Sequence, residues 1–171
     1  MLCLTVRQPW AELIVCAKKS IEIRSWWPRL QLPVMVAIHA GKTIDRAAPL
    51  ELWKAAFGPV YQTNSRPRLG GIIGVARFTE RIEFCGYLGE IEGRARWVRM
   101  ADQHLNPLDW WTRKSIGFRF DQPVRFERII PCRGRQGFFE LPEDITAAVI
   151  SAAKGDTHGS TTGSTMQAHR L

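Results

Sequence analysis

Between Thr5 and Trp26, TVRQPWAELIVCAKKSIEIRSW, the apolar residues change period, and a strand end, a short helix and a second strand in close succession satisfy the change. Pro9 presets the backbone angle of a first helical position and lacks the donor that this position leaves unpaired. Trp10, Leu13, Ile14 and Ala17 then recur at i, i+3, i+4 and i+7, the stripe of a helix lying on a core. Glu12 in the first turn and Lys18 and Lys19 at the end each stand where the helix dipole favours their charge. From Ser20 the period drops to two, so Ser20, Glu22 and Arg24 share one strand face opposite Ile21 and Ile23. A lysine closing a helix, followed by Glu and Arg on one strand and then by Trp26 and Trp27, outlines a small charged pocket.

The remaining chain supplies the walls. Leu2 to Val6 reads as a first strand, and Val34 to His39 as a short apolar strand buried on both faces. His39, at its end, is either a core histidine with satisfied nitrogens or a pocket group facing Lys19 and Glu22. Pro49 to Phe57 has helical spacing and stops at Gly58-Pro59, and Tyr61 to Arg68 is a polar, partly basic loop suited to solvent or a phosphate backbone. In the strand from Leu69 to Thr79, Gly70, Gly71 and Gly74 mark bends or bulges of the kind a small closed barrel uses. Arg77 is in phase with Ile73 and Val75, and Glu22 is the partner expected for it. Residues 80–106 read as an insertion, in which Trp97, Ala101 and Leu105 are spaced as a helix with Arg94, Arg96 and Arg99 on its basic face. After Asp109 to Lys114, strands are expected at Ser115 to Phe120 and Val124 to Ile130 around the turn Asp121-Gln122-Pro123. A last strand at Phe138 to Leu141 precedes a helix from Pro142 that turns Ile145, Ala148, Val149 and Ala152 inward. Gly155 caps it, which makes 1–154 one domain and 155–171 a disordered polar tail.

Bulk properties narrow the function. Of the net charge of +8, Lys154 and Arg170 against Asp156 place +1 after Ile150, which leaves about +7 on the rest and favours polyanions, nucleic acid first. Cys3, Cys16, Cys85 and Cys132 are scattered without a C-x-x-C pair, so neither a zinc site nor a disulfide framework is expected. No metal or other cofactor is expected. No apolar run is long enough to span a bilayer and no signal-like segment opens the chain, so the expected location is cytoplasmic.

Three segments resemble the ASCH (activating-signal-cointegrator homology) family. Arg7-Gln8-Pro9-Trp10 is similar to its opening, and Pro131-Cys132-Arg133-Gly134-Arg135-Gln136-Gly137-Phe138-Phe139 to its end. Its signature, Gly-x-Lys-x-x-Glu-x-Arg, falls on Ala17, Lys19, Glu22 and Arg24, with alanine in place of the glycine. The resemblance spans roughly residues 2 to 142 and implies an α+β fold: a small PUA-like β-barrel with a short N-terminal helix and peripheral helices, related to domains that bind modified RNA.

The implied site is a cleft between the first helix and the second strand that takes RNA, a nucleoside or a nucleotide. Arg7, Gln8, Trp10, Lys19, Glu22, Arg24, Trp26, His39 and Arg77 are its candidate residues, with Trp110 or Trp111 as further stacking groups. Some small family members are amidohydrolases of an acylated cytidine, using a lysine, a threonine three residues later and a downstream glutamate. Lys19 matches the lysine, whereas Glu22 stands at the threonine position and the glutamate position falls near Arg77, so the hydroxyl nucleophile is missing there. RNA cleavage is the other hydrolytic alternative, in which Lys19 and Arg24 stabilise a phosphorane and Glu22 or His39 moves a proton without a metal, Lys19 and Glu22 being the catalytic candidates. A protein-interaction role in transcriptional coactivation follows from the family name.

Overall fold

The computed structural model describes residues 1–59, 66–83, 87–91, 94–98 and 116–157. Along the chain these form β1 (Leu2–Gln8), α1 (Trp10–Val15), β2 (Ile21–Arg24), β3 (Val34–Ile44), α2 (Leu50–Phe57), β4 (Gly71–Glu83), β5 (Tyr87–Ile91), β6 (Arg94–Val98), β7 (Ile116–Pro131), β8 (Phe138–Glu140) and α3 (Glu143–Thr157). Six strands make one mixed sheet in the order β2-β7-β4-β3-β1-β8, and β5 and β6 pair as a separate antiparallel ladder. Among the described residues only β1 and β3 run parallel in the large sheet, joined by a crossover through α1 and β2.

Each face of the sheet carries a core. Val36, Ile38 and Ala40 of β3 pack with Phe78, Phe118 and Phe120 and with Ala11, Ile14 and Val15 of α1. Ala37, on the other face, packs with Ile72, Val75 and Phe126 under Val149 of α3. The apolar run of β3 is therefore buried on both sides, as its composition requires. Helix α2 docks Leu52 and Ala56 on Leu13 of α1, and Gly58, with φ +98°, ends it. No helix among the described residues is long and apolar enough to cross a membrane.

Four expectations need correcting. Among the described residues the sheet is open, because its edges, β2 and β8, do not pair with each other. Strand β8 is three residues long and reaches only Leu2, Cys3 and Leu4 of β1, too short an edge to continue the ladder round. Asp121-Gln122-Pro123 is not a turn between two strands but an irregularity inside the single strand β7, with Gln122 at φ +45° and register shifts against β4. Proline is tolerated in a strand at such a bulge. Trp97 lies on strand β6 rather than on a helix, whereas Ala101, Leu105, His104, Cys85 and the Trp110-Trp111 cluster lie outside the described residues. Finally, α3 continues through Gly155 to Thr157, and Ala148 faces outward; the sequence from 158 onward lies outside the described residues.

What fixes α1 to the sheet is a buried charge. The Glu12 side chain has no exposed surface and its Oε1 accepts from Arg125 Nε at 2.6 Å and Arg68 Nη2 at 2.8 Å. Arg68 also donates from Nη1 to the Phe126 carbonyl at 2.6 Å. Gln8, fully buried, ties the same corner: its Oε1 accepts from Glu12 N at 3.0 Å and its Nε2 donates to the Arg68 carbonyl at 3.1 Å. Helix α1 then stops where Ala17 takes a left-handed conformation, φ +58°, and the Lys18 and Lys19 amides both turn back to the Leu13 carbonyl. That is the position where the family signature has glycine, which adopts this conformation without a Cβ penalty.

Three stability changes follow. Arg68→Ala strips one guanidinium from a buried carboxylate and lowers the unfolding free energy by about 3–5 kcal/mol, whereas Arg77→Ala, from the solvent-facing Arg77–Asp121 pair, costs far less. Ala17→Gly removes a left-handed alanine and raises stability by about 0.5–1 kcal/mol. Urea titration of the variants measures all three; equal losses for Arg68→Ala and Arg77→Ala contradict the assignment of the hub.

Candidate functional site

The seam between the two sheet edges is a cleft of ≈ 660 Å³. Strand β1 contributes Thr5 and Arg7, α1 contributes Trp10, and β2 with its flanks contributes Lys19, Glu22, Arg24 and Trp26. The segment before β8 closes it with Arg135, Gln136 and Gly137. Trp26 spans the seam, with its ring edge-on to Phe118 of β7 at 5.1 Å and to Phe138 of β8 at 5.6 Å.

The polar groups are held in place individually. Lys19 is 4% exposed; its ammonium donates to the Ile21 carbonyl and lies 5.6 Å from the Trp10 ring centre. Trp10 donates from Nε1 to Asp45 Oδ2 at 2.9 Å, which sets its ring plane. Arg24 Nη2 bridges Glu22 Oε1 at 3.1 Å and the Thr5 carbonyl at 2.7 Å. That carbonyl is free to accept because β8 pairs with β1 only as far as Leu4. Glu22 is 7% exposed, so the Glu22–Arg24 pair sits at the inner end of the opening.

A second cleft, ≈ 1020 Å³, adjoins the first and shares Thr5, Gly41, Thr43, Arg135 and Gln136 with it. His39, Lys42, Arg133 and Gly134 belong to this one. The His39 ring donates from Nε2 to the Cys132 carbonyl at 3.0 Å, a direction fixed because a carbonyl can only accept. In the neutral ring, Nδ1 is then a bare acceptor.

Six of the nine candidate residues meet in the first cleft: Arg7, Trp10, Lys19, Glu22, Arg24 and Trp26. Gln8 does not; it is an internal strut of the Glu12 corner. His39 faces the adjoining cleft rather than Lys19 and Glu22. Arg77 lines neither and pairs with Asp121 at 2.7 and 2.8 Å, not with Glu22. The reason is the β4 bulges: register shifts put Ile73 in one core and Val75 in the other, so period-two phasing from them to Arg77 fails. That pairing holds the Asp121 carboxyl below its ordinary range. Arg68, in the loop read as suited to solvent or a phosphate backbone, is instead half of the Glu12 clamp. Arg135, Gln136 and Thr5 were not singled out by sequence, although the basic, glycine-spaced turn CRGRQG was the available signal.

Burial pushes the His39 imidazole below its ordinary 6.5, against the opposing pull of the Cys132 carbonyl. The unfolded chain therefore binds a proton that the folded one refuses. His39 costs no stability above about pH 6.5, and the folded state loses stability as pH falls from there toward the lower folded pKa. Urea unfolding at about pH 7 and pH 5 should show this loss in the wild type and a smaller one in His39→Gln. The same loss in both would remove His39 as its source.

Placed beside known proteins, this architecture has counterparts. The sequence model of the ASCH domain matches residues 4–113. The crystal structure of ASCH from Zymomonas mobilis aligns with a TM-score of 0.50 at 16% identity, covering 88% of this chain and 93% of that one. A single-substitution variant of the same protein gives 0.49 at 19% identity, covering 88% and 96%. No curated protein matches the sequence. With the domain's pattern running through more than half of the sequence, the chain belongs to the ASCH domain family.

Proposed function

We propose that the chain binds single-stranded RNA or a nucleotide in the cleft between α1 and β2. The observation that carries this reading is the composition of the opening. Arg7, Lys19, Arg24 and Arg135 line it against one carboxylate, Glu22, between two indoles. Cations answer phosphate or the acceptor edge of a base, and Glu22, which can only accept, suits an exocyclic amine. Trp10 and Trp26 are fixed by their own contacts, so a base stacks on a ring that is already placed. Such stacking contributes about 1–3 kcal/mol per base. In this reading the chain through α3 works as one domain, with an insertion after β4 that carries the β5–β6 ladder.

A hydrolase acting on a modified nucleoside or on RNA is the second reading, and one observation favours it. Thr5 and Thr43 line the cleft that holds Lys19, so hydroxyl-bearing residues stand in it although Glu22 occupies the position expected for threonine. A lysine with its ammonium against a carbonyl and an indole is placed to orient a substrate, and Glu22 to move a proton.

Titrating fluorescent single-stranded RNA at several salt concentrations tests both. For the binder, affinity falls steeply with salt. Arg135→Ala, at an exposed position, weakens binding and flattens the logarithmic salt slope by about 0.7 while leaving thermal stability unchanged. Lys19→Ala weakens binding with the RNA recovered intact. Product formation by the wild type, lost in Lys19→Ala, selects the hydrolase. RNA affinity that ignores salt and both substitutions overturns the cleft assignment.

A further inference from the structure

Two buried polar atoms of the second cleft have no hydrogen-bond partner among the described residues: Thr5 Oγ1 and His39 Nδ1. They are not a chance pair. Thr5 and His39 are directly opposed in the parallel β1–β3 ladder, so the sheet fixes their spacing. A single point, where a Cβ on Gly134 would stand, lies 2.9 Å from each of them, so they are separated by no more than twice that distance. Their cover is thus the backbone of a residue without a side chain. A Cβ there would also come within 2.5 Å of His39 Cε1, so any other residue at 134 would crowd the pair.

The chemistry of the two atoms is complementary. With Nε2 committed as donor to the Cys132 carbonyl, the neutral His39 ring offers Nδ1 as an acceptor. The Thr5 hydroxyl both donates and accepts. A ligand hydroxyl that donates to Nδ1 and accepts from Thr5 Oγ1 satisfies both at once. Buried polar groups in folded proteins are ordinarily paired, so two orphans side by side at a cleft mark a place for such a group. Around them stand Lys42, Arg133 and Arg135, the charges that a sugar–phosphate backbone requires. Arg24 Nε, a third buried polar atom without a partner among the described residues, borders the first cleft where Thr5 joins the two.

We infer that the second cleft is a ribose subsite, in which Thr5 and His39 read a 2′-hydroxyl of the nucleotide next to the one whose base enters the first cleft. This rests on the RNA-binding reading and adds that the chain discriminates RNA from DNA through this pair. The 2′-hydroxyl is the group that makes such discrimination possible, since it alone donates and accepts at a position DNA leaves empty.

The test compares a short single-stranded RNA with the DNA of the same base sequence, and with RNA carrying one 2′-O-methyl group at successive positions. Wild type, Thr5→Val and His39→Gln are titrated, each first verified as folded by its thermal transition. His39→Gln keeps a donor for the Cys132 carbonyl while removing the Nδ1 acceptor, and Thr5→Val keeps the shape of the side chain. The expected result is a preference of about tenfold for RNA over DNA in the wild type. One methylated position should abolish the preference, and both variants should bind RNA only as well as DNA, with DNA affinity unchanged. A merely structural pair would weaken RNA and DNA alike. That outcome, an RNA preference that survives both substitutions, or equal wild-type affinity for RNA and DNA overturns the ribose subsite while leaving the RNA-binding cleft standing. Absence of binding to either polymer overturns both.

Discussion

A carboxylate with no exposed surface, Glu12, holds the geometry on which everything else depends. Helix α1 is six residues long, far below the length at which a helix is stable alone, so it exists because something holds it. Apolar packing of Ala11, Leu13, Ile14 and Val15 supplies adhesion but little direction. Direction comes from Glu12, whose oxygens must face both Arg68, before β4, and Arg125, in β7, or remain charged and unpaired in the interior. Gln8 bonds both the first turn of the helix and the Arg68 backbone, which leaves one arrangement. Once α1 is set, Trp10 and the left-handed turn at Ala17 are set, and Lys19 arrives against the indole rather than in solvent.

The open seam of the sheet is the second consequence. A closed barrel pairs every edge strand, whereas here β2 and β8 face each other across a cleft. Trp26 bridges the gap with ring contacts in place of ladder hydrogen bonds, and Arg24 caps the Thr5 carbonyl that a longer β8 would have taken. Edge groups that closure would have consumed are thereby available to side chains. Shortening one edge strand thus exposes the cleft and supplies the polar backbone that positions its cations.

How far the sequence discloses this depends on the range of each interaction. The β1–α1–β2 unit was legible because its periods of 3.6 and two are local, and it delivered six of the cleft residues, including the whole Lys19, Glu22 and Arg24 set. The assignments that failed concern partners far along the chain. Arg77 was misplaced because bulges, set by strand register over residues 116–131, break the alternation that phased it. Gln8 looked like part of a binding motif, and Arg68 like a loop residue facing solvent or a phosphate, because a basic residue in a polar loop gives no sign of a carboxylate 56 positions away. Helical spacing in Trp97, Ala101 and Leu105 competed with β-branched and aromatic neighbours, and at Trp97 the strand prevailed. His39, expected at the end of an apolar strand, lies inside β3, which runs on to Ile44, and which cleft it faces is decided by the Cys132 carbonyl, 93 residues on.

The cations around the two clefts divide by burial, and the division maps onto two physical tasks. Lys19 and Arg24 are committed to carbonyls, an indole and Glu22, so their positions are determined before any ligand arrives and little side-chain entropy remains to be lost on binding. Arg7, Lys42, Arg133 and Arg135 are exposed at the rim, where their value lies in long-range attraction that salt screens. In the proposed reading a polyanion approaching this face would first meet the rim charges, which do not select among sequences, and then the inner pair, whose donors are fixed in direction. In the proposed reading Glu22 makes that inner pair selective: as an acceptor beside two fixed donors it would repel phosphate and favour a base edge that carries an amine.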